Sequence, residues 1–441
     1  MNSHWMKFLL ITSSVLCLIS LVALGWLAFQ ATELQDDAAV PAFPFKKLPP
    51  KKHVGSTSHS SLHKSSAQDS ETQSVDDDLL EKLAALEQSK TVVTGELLLS
   101  FRDPRALAAF LARAGKLGIQ VLYQDPRLNS ARIRYQDRHQ LAMELRDHAD
   151  QYENIGPNHL VWVPGIPDNI KDTDNAGGRV PFESSGLKMI GADQMDRSRW
   201  GAGVKVAVLD TGVTDHEDLV GIKITHLDFV QDGKPYDGHG TAMTGLIAGN
   251  DSENGGVSPK SEILDYRVAN AEGVGNVATL AEAIIKAVDD GARVLNISLG
   301  TTAESRMLAR AVEYAIAKNV VVVAAAGNEQ ASQLAYPAAY EGVISVAAID
   351  ANGRQAYFSN SGEGLFIAAP GVGIISPYND NKTVIGSGTS QAAAIVSGAV
   401  SALLSRNYQA SNIRQILTQY AHPSTLPANQ VGVGVLRLPG S

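Results

Sequence analysis

The sequence predicts an α/β protein: a mostly parallel sheet with helices on both faces, preceded by a small α+β unit and a single N-terminal apolar span. Three observations predict it. From Met189 onward, apolar runs rich in β-branched residues (204–209, 294–299, 320–324 and 343–347) alternate with amphipathic stretches. Strands of that kind, apolar on both sides, are the ones that helices cover on both faces. Between Glu96 and Val163, shorter segments alternate in the order βαββαβ. Finally, residues 8–29 contain no charge, which is long enough for a membrane-crossing helix.

The chain has 441 residues, 44% hydrophobic and 19% charged, a globular composition sized for one domain of roughly 250 residues with smaller pieces attached. The net charge of -9 gives no basic footprint, so nucleic acid is set aside as a partner. Cys17 is the only cysteine, which excludes intrachain disulfides and cysteine metal clusters.

Taken in order, residues 1–30 read as a membrane anchor, with Lys7 before the apolar run and Glu33, Asp36 and Asp37 after it. This charge balance fits an inside N-terminus and an exported C-terminal bulk. Cleavage as a signal peptide near Ala23-Leu24-Gly25 is the competing reading, and it would make the product secreted. Residues 31–90 read as a flexible linker, since 35–78 are rich in Pro, Lys, Ser, His and Asp and almost without periodic apolar residues. His53, His59 and His63 fall in that tract and are read as solvated. A short helix is expected over 79–90.

Residues 91–165 form the α+β unit, with strands at 96–101, 120–123, 131–135 and 160–163. Its first helix begins at Pro104, with Leu107, Phe110, Leu111 and Ala114 on one face, and its second lies near 139–149. The βαββαβ order is that of the ferredoxin-like fold. Residues 166–185 look like an exposed connector, and 186–441 carry the parallel sheet.

In such a sheet, catalytic groups gather beyond the carboxyl ends of the strands. Asp210-Thr211-Gly212 follows one apolar strand, His239 stands in Asp237-Gly238-His239-Gly240-Thr241, and Gly386-Ser387-Gly388-Thr389-Ser390 leads into a long Ala-rich stretch. Each alone can be read as a turn, a cap or a glycine loop. Together they supply a hydroxyl nucleophile, an imidazole base and a carboxylate to fix the base's tautomer. Their chain order, Asp, His, Ser, is one of three seen on unrelated folds.

These motifs resemble those of the subtilisin-like serine peptidases: 206–213 the aspartate motif, His239-Gly240-Thr241 the histidine motif and Gly388-Thr389-Ser390 the serine motif, within a match covering about 187–438. The resemblance implies a subtilisin-like fold and a serine endopeptidase in which Asp210 orients His239, His239 is general base and then acid, and Ser390 attacks the scissile carbonyl. It implies that Asn328, in the segment 324–329, joins the backbone N–H of Ser390 in stabilising the oxyanion. It further implies that Gly273, Val274 and Gly275 face Ser298, Leu299 and Gly300 across a slot where polypeptide substrates add a strand. The α+β unit sits where the family carries an intramolecular chaperone and inhibitor, so self-cleavage is expected between residues 164 and 183.

Some positions depart from the family. Ala242 and Met243 follow the histidine motif where histidine and valine are usual, and Ala394 replaces a usual proline. The loop 250–256 is shorter than the usual calcium loop; Asp251 and Glu253 read as solvated carboxylates. Structural calcium is therefore unassigned, no metal ligand is named and no cofactor is required. A catalytically silent binding module on the same fold is the rival reading, which the presence of Asp210, His239, Asn328 and Ser390 opposes.

Overall fold

The computed structural model describes residues 65–165, 180–251 and 253–440. The apolar run 8–29, the tract holding His53, His59 and His63, and residues 166–179 of the connector lie outside them. Among the described residues no helix is long and apolar enough to cross a membrane.

The small domain opens earlier than its composition suggests. Helix α1 (Ser65–Gln88) occupies the second half of the stretch read as linker and takes in most of the short helix expected over 79–90, starting earlier than expected. Leu79, Leu83 and Leu86 recur at helical spacing and are buried among the small domain's apolar residues. That burial, about 2 kcal/mol for each leucine, anchors the helix despite its polar start.

Next come β1 (Val92–Phe101), α2 (Pro104–Ala114), β2 (Gln120–Asp125), β3 (Ser130–Arg134), α3 (Arg138–Asp147) and β4 (Tyr152–Trp162). Helix α2 starts where Asp103 accepts the N–H groups of Arg105 and Ala106 at 2.8 and 2.9 Å, with a proline in its first turn. It buries Leu107, Phe110 and Ala114, and Phe110 meets Phe101 and Tyr152 in an aromatic cluster. Strands pair antiparallel in the order β2-β3-β1-β4. Strand β4 begins eight residues before the expected 160. Asn154, Gly156, Pro157 and Asn158 look like turn residues, yet 154–157 pair with β1 and only Tyr152 and Ile155 advertise the buried face.

The large domain contains β5 (Lys205–Asp210), β6 (Ile224–Asp228), α4 (His239–Ala248), β7 (Glu262–Arg267), β8 (Val274–Asn276), α5 (Val277–Asp289), β9 (Val294–Ile297) and α6 (Arg306–Ala317). It continues with β10 (Val321–Ala325), β11 (Ile344–Ile349), β12 (Ile367–Pro370), β13 (Ile374–Tyr378), β14 (Lys382–Gly386) and α7 (Thr389–Ser405). Seven strands, all parallel, lie in the order β12-β11-β10-β9-β5-β7-β6.

Successive residues serve opposite faces. Val206, Val208, Val321 and Val323 share a core with residues of α4 and α7, whereas Ala207, Leu209, Val322 and Ala324 share one with residues of α5 and α6. This two-sided burial explains the uninterrupted apolar strands.

The connector's last residues are not free. The N–H groups of Phe182 and Glu183 donate to Val372 and Gly373 at 2.9 Å, because Phe182 has an apolar core to pack against. The short strand β8 belongs to the large domain but pairs with β4, so one sheet runs across both domains.

Candidate active site

Strand β5 ends at Asp210, which is fully buried. Its Oδ1 accepts the Thr211 N–H at 2.7 Å and the Nδ1–H of His239 at 2.8 Å. Donation from Nδ1 leaves Nε2 as the unprotonated nitrogen, the tautomer a general base needs. His239 is the first residue of α4, and its own N–H is held by Asp237 at 2.8 Å.

Gly240 must lack a side chain, because a Cβ would collide with the Gly212 carbonyl. The Thr211 hydroxyl accepts the Gly240 N–H at 3.1 Å, tying the aspartate and histidine segments together. Burial pulls the His239 imidazole pKa down, but the charge and hydrogen bond of Asp210, aided by Asp237, outweigh it and leave the value raised.

Ser390 is the second residue of α7 and is buried. Helices α4 and α7 lie on the same face of the sheet, and a Cβ at Gly398 would come 3.4 Å from the Ile247 carbonyl. Gly398 and Ile247 each lie eight residues beyond Ser390 and His239 along their helices. The Ser390 hydroxyl donates to the Ser298 carbonyl at 3.3 Å.

Asn328 follows β10. Its Oδ1 accepts the N–H and hydroxyl of Thr389 at 2.9 and 2.8 Å, which turns the amide nitrogen the other way. That Nδ2 is buried and has no hydrogen-bond partner. It stands 3.2 Å from the point where a Cβ of Gly388 would be, so the glycine keeps the space in front of it open. A buried donor facing a gap that the Ser390 backbone nitrogen also borders, 3.7 Å from the same point, suits an oxygen that becomes negative.

The two expected substrate edges face each other across a strand that is already present. Val161 pairs with Gly275 and Trp162 with Val274 in the β4–β8 ladder, and the Val163 N–H donates to the Gly273 carbonyl at 2.8 Å. On the other side Trp162 and Gly300 exchange both backbone hydrogen bonds, each 2.9 Å. Leu299 is buried beneath, in the same core as Val161.

Ion pairs hold the rest of the small domain to α5 and α6. Arg127 reaches Asp289 at 2.8 Å, Arg306 reaches Glu153 at 2.7 Å, and Arg310 bonds Glu153 and the carbonyls of Phe101, Leu128 and Asn129. Asn158 accepts the Ala278 N–H at 3.1 Å, satisfying a free donor in the first turn of α5.

The structure thus joins Asp210 to His239, Asn328 to the start of α7 through Thr389, and Ser390 to Ser298, with the two glycine-bearing edges on either side of β4. Thr389 and Asp237 stand inside the quoted serine and histidine segments but were given no role from the sequence; their place in those segments was the available signal. Among the described residues no group of three or more His, Cys, Asp or Glu is placed to hold a metal. Asp251 instead caps its own loop, accepting the N–H groups of Glu253 and Asn254.

Comparison with known proteins gives a consistent set. Residues 201–434 match the family model described as the subtilase family. The chain is 41% identical over 233 residues to a thermophilic serine proteinase of Bacillus sp. (strain AK1), covering 51% of this chain and 58% of that one. It is 39% identical over 251 residues to thermitase of Thermoactinomyces vulgaris, covering 55% of this chain and 90% of that one. Among solved structures it is similar to fervidolysin from Fervidobacterium pennivorans, a keratinolytic enzyme related to subtilisin, with a TM-score of 0.66 and 26% identity, covering 79% of this chain and 61% of that one. The match therefore spans less than two thirds of the Bacillus proteinase and of fervidolysin.

Proposed function

The chain belongs to the subtilase family, and from that premise we propose that it is a serine endopeptidase hydrolysing polypeptides through Asp210, His239 and Ser390. His239 takes the Ser390 proton as the hydroxyl attacks the scissile carbonyl, then returns it to the leaving amine. Asp210 holds the reactive tautomer and stabilises the imidazolium. The developing oxyanion is received by Asn328 Nδ2 and the backbone N–H of Ser390, and water then hydrolyses the acyl-enzyme.

The observation that carries this reading is the buried Asp210–His239 hydrogen bond of 2.8 Å, set at the start of a helix that packs beside the one whose second residue is Ser390. Substrates would enter as an added strand between Gly273, Val274, Gly275 and Ser298, Leu299, Gly300. Backbone pairing of that kind accepts many sequences. The reaction as written needs no cofactor, and structural calcium stays unassigned.

The small domain is proposed to act as an intramolecular inhibitor in a self-processed zymogen, with its own strand in the substrate slot. The apolar run 8–29 would hold the protein at a membrane with the catalytic domain on the extracytoplasmic side; cleavage of that run would release a secreted form.

The test is labelling with a fluorophosphonate after removal of the small domain. Labelling that disappears in Ser390→Ala is the expected result. No labelling of the wild type, or equal labelling of both proteins, contradicts the proposal.

A further inference from the structure

We infer that the peptide bond set before the nucleophile is Pro164–Gly165, and that Pro164 itself makes this bond slow to cut. The inference rests on the peptidase reading and specifies where and how fast the zymogen processes itself.

The register follows from pairing. Trp162 and Gly300 exchange both backbone hydrogen bonds, as a hydrogen-bonded antiparallel pair does. Two residues further along one strand and two back along the other, residue 164 falls opposite Ser298. The intervening Val163 turns its N–H to the other edge and donates to Gly273, as alternation in a strand requires. Ser298 is also the residue whose carbonyl accepts the Ser390 hydroxyl. Residue 164 is thus the one whose carbonyl carbon is presented to Ser390.

Any other residue at this position would donate its N–H to the Ser298 carbonyl and complete the ladder. Proline has no N–H to give. The donor that Ser298 does receive is the Ser390 hydroxyl, which is thereby directed to a carbonyl instead of to His239. Pro164 has a second effect in the opposite sense: it restricts the residue before it to extended backbone, so Val163 is held in the conformation the slot requires. One residue therefore favours docking of the strand and weakens the fixing of its scissile carbonyl.

In the slow step, Ser390 Oγ bonds to the Pro164 carbonyl carbon and its proton passes to His239. The Pro164–Gly165 bond breaks as His239 protonates the Gly165 nitrogen. A water molecule, deprotonated by His239, then attacks the ester, freeing the Pro164 carboxylate and the Ser390 hydroxyl. The chain is made with its substrate slot filled by a segment that fits well and reacts poorly.

The experiment compares wild type, Pro164→Ala and Pro164→Ala/Ser390→Ala as full chains, following fragment masses with time. Thermal melts of Ser390→Ala and of the double variant check that the fold is kept. Restoring one strand hydrogen bond is expected to speed the cut after residue 164 by up to about tenfold, with the double variant remaining whole. Unchanged or slower cutting in Pro164→Ala overturns the retarding role. A cut at another bond that still depends on Ser390 overturns the register and leaves the peptidase reading standing. No Ser390-dependent cut in either chain sinks both.

Discussion

Asn328 is held by Thr389 through two hydrogen bonds, from the N–H at 2.9 Å and from the hydroxyl at 2.8 Å. Thr389 is a positioning residue in the proposed mechanism: it holds the amide proposed to receive the oxyanion. Thr389→Val removes the hydroxyl bond and leaves the amide held by the backbone N–H alone. We predict that kcat falls about tenfold, the factor of one hydrogen bond, while KM stays within twofold and Thr389→Ser restores the rate. Steady-state kinetics on a peptide substrate decide it, and a change confined to KM would show that Thr389 serves binding instead.

Asp210→Asn keeps the shape of the pair but lets the amide favour the wrong imidazole tautomer, and a loss of about 10⁴ in kcat is expected from triads of this kind. The pH profile adds an independent readout. Burial pulls the His239 pKa down and Asp210 more than offsets it. The base must be neutral, so wild-type activity is lost as pH falls through a raised value. Without the Asp210 charge, the acid limb of the residual activity should move to lower pH; an unmoved limb would mean that another group controls it.

Arg310 gathers three carbonyls of the small domain and the carboxylate of Glu153 on one guanidinium. Arg310→Ala strands those acceptors, so the processed small domain should dissociate roughly ten- to a hundredfold more readily. Gel filtration of processed protein, with the fraction still associated measured against dilution, tests this. An unchanged fraction would place the affinity in the β4 strand alone.

His159 lies in β4, is buried, and has its pKa pushed down to about 4 by desolvation. Unfolded, it titrates near pH 6.5. Above that pH both states are neutral and stability is full. As pH falls from 6.5 the unfolded state binds the proton first, and about 3 kcal/mol is lost by the time pH reaches 4. Ser390→Ala, unable to process itself, should therefore show a small-domain unfolding transition that weakens over this window, and adding His159→Leu should flatten the slope. Parallel slopes in the two proteins would assign the acid sensitivity to other groups.

Much of this arrangement was legible before any coordinates. Strands such as 321–325 and 344–349 announce themselves because both faces are buried and every residue is apolar. The candidate site was legible through Asp210, His239 and Ser390, whose glycine neighbours are required by close backbone approach, as Gly240 shows against Gly212. The end of helix α1 was legible in its leucines, which tie it to a core, but its first half was not, because it reads Ser, Gln and Asp. The start of β4 was missed because Gly156 and Pro157 look like a turn until β1 pairs with them.

The sequence alone determined the fold class and named the candidate reacting side chains, since periodicity and local motifs are short-range properties carried by neighbouring residues. What only the tertiary structure decided is which atoms meet: Thr389 behind Asn328, Trp162 against Gly300, and residue 164 opposite Ser298. Those pairings join residues 61 to 138 positions apart. A register between distant strands is fixed by the cores on either side of it, not by the residues that pair.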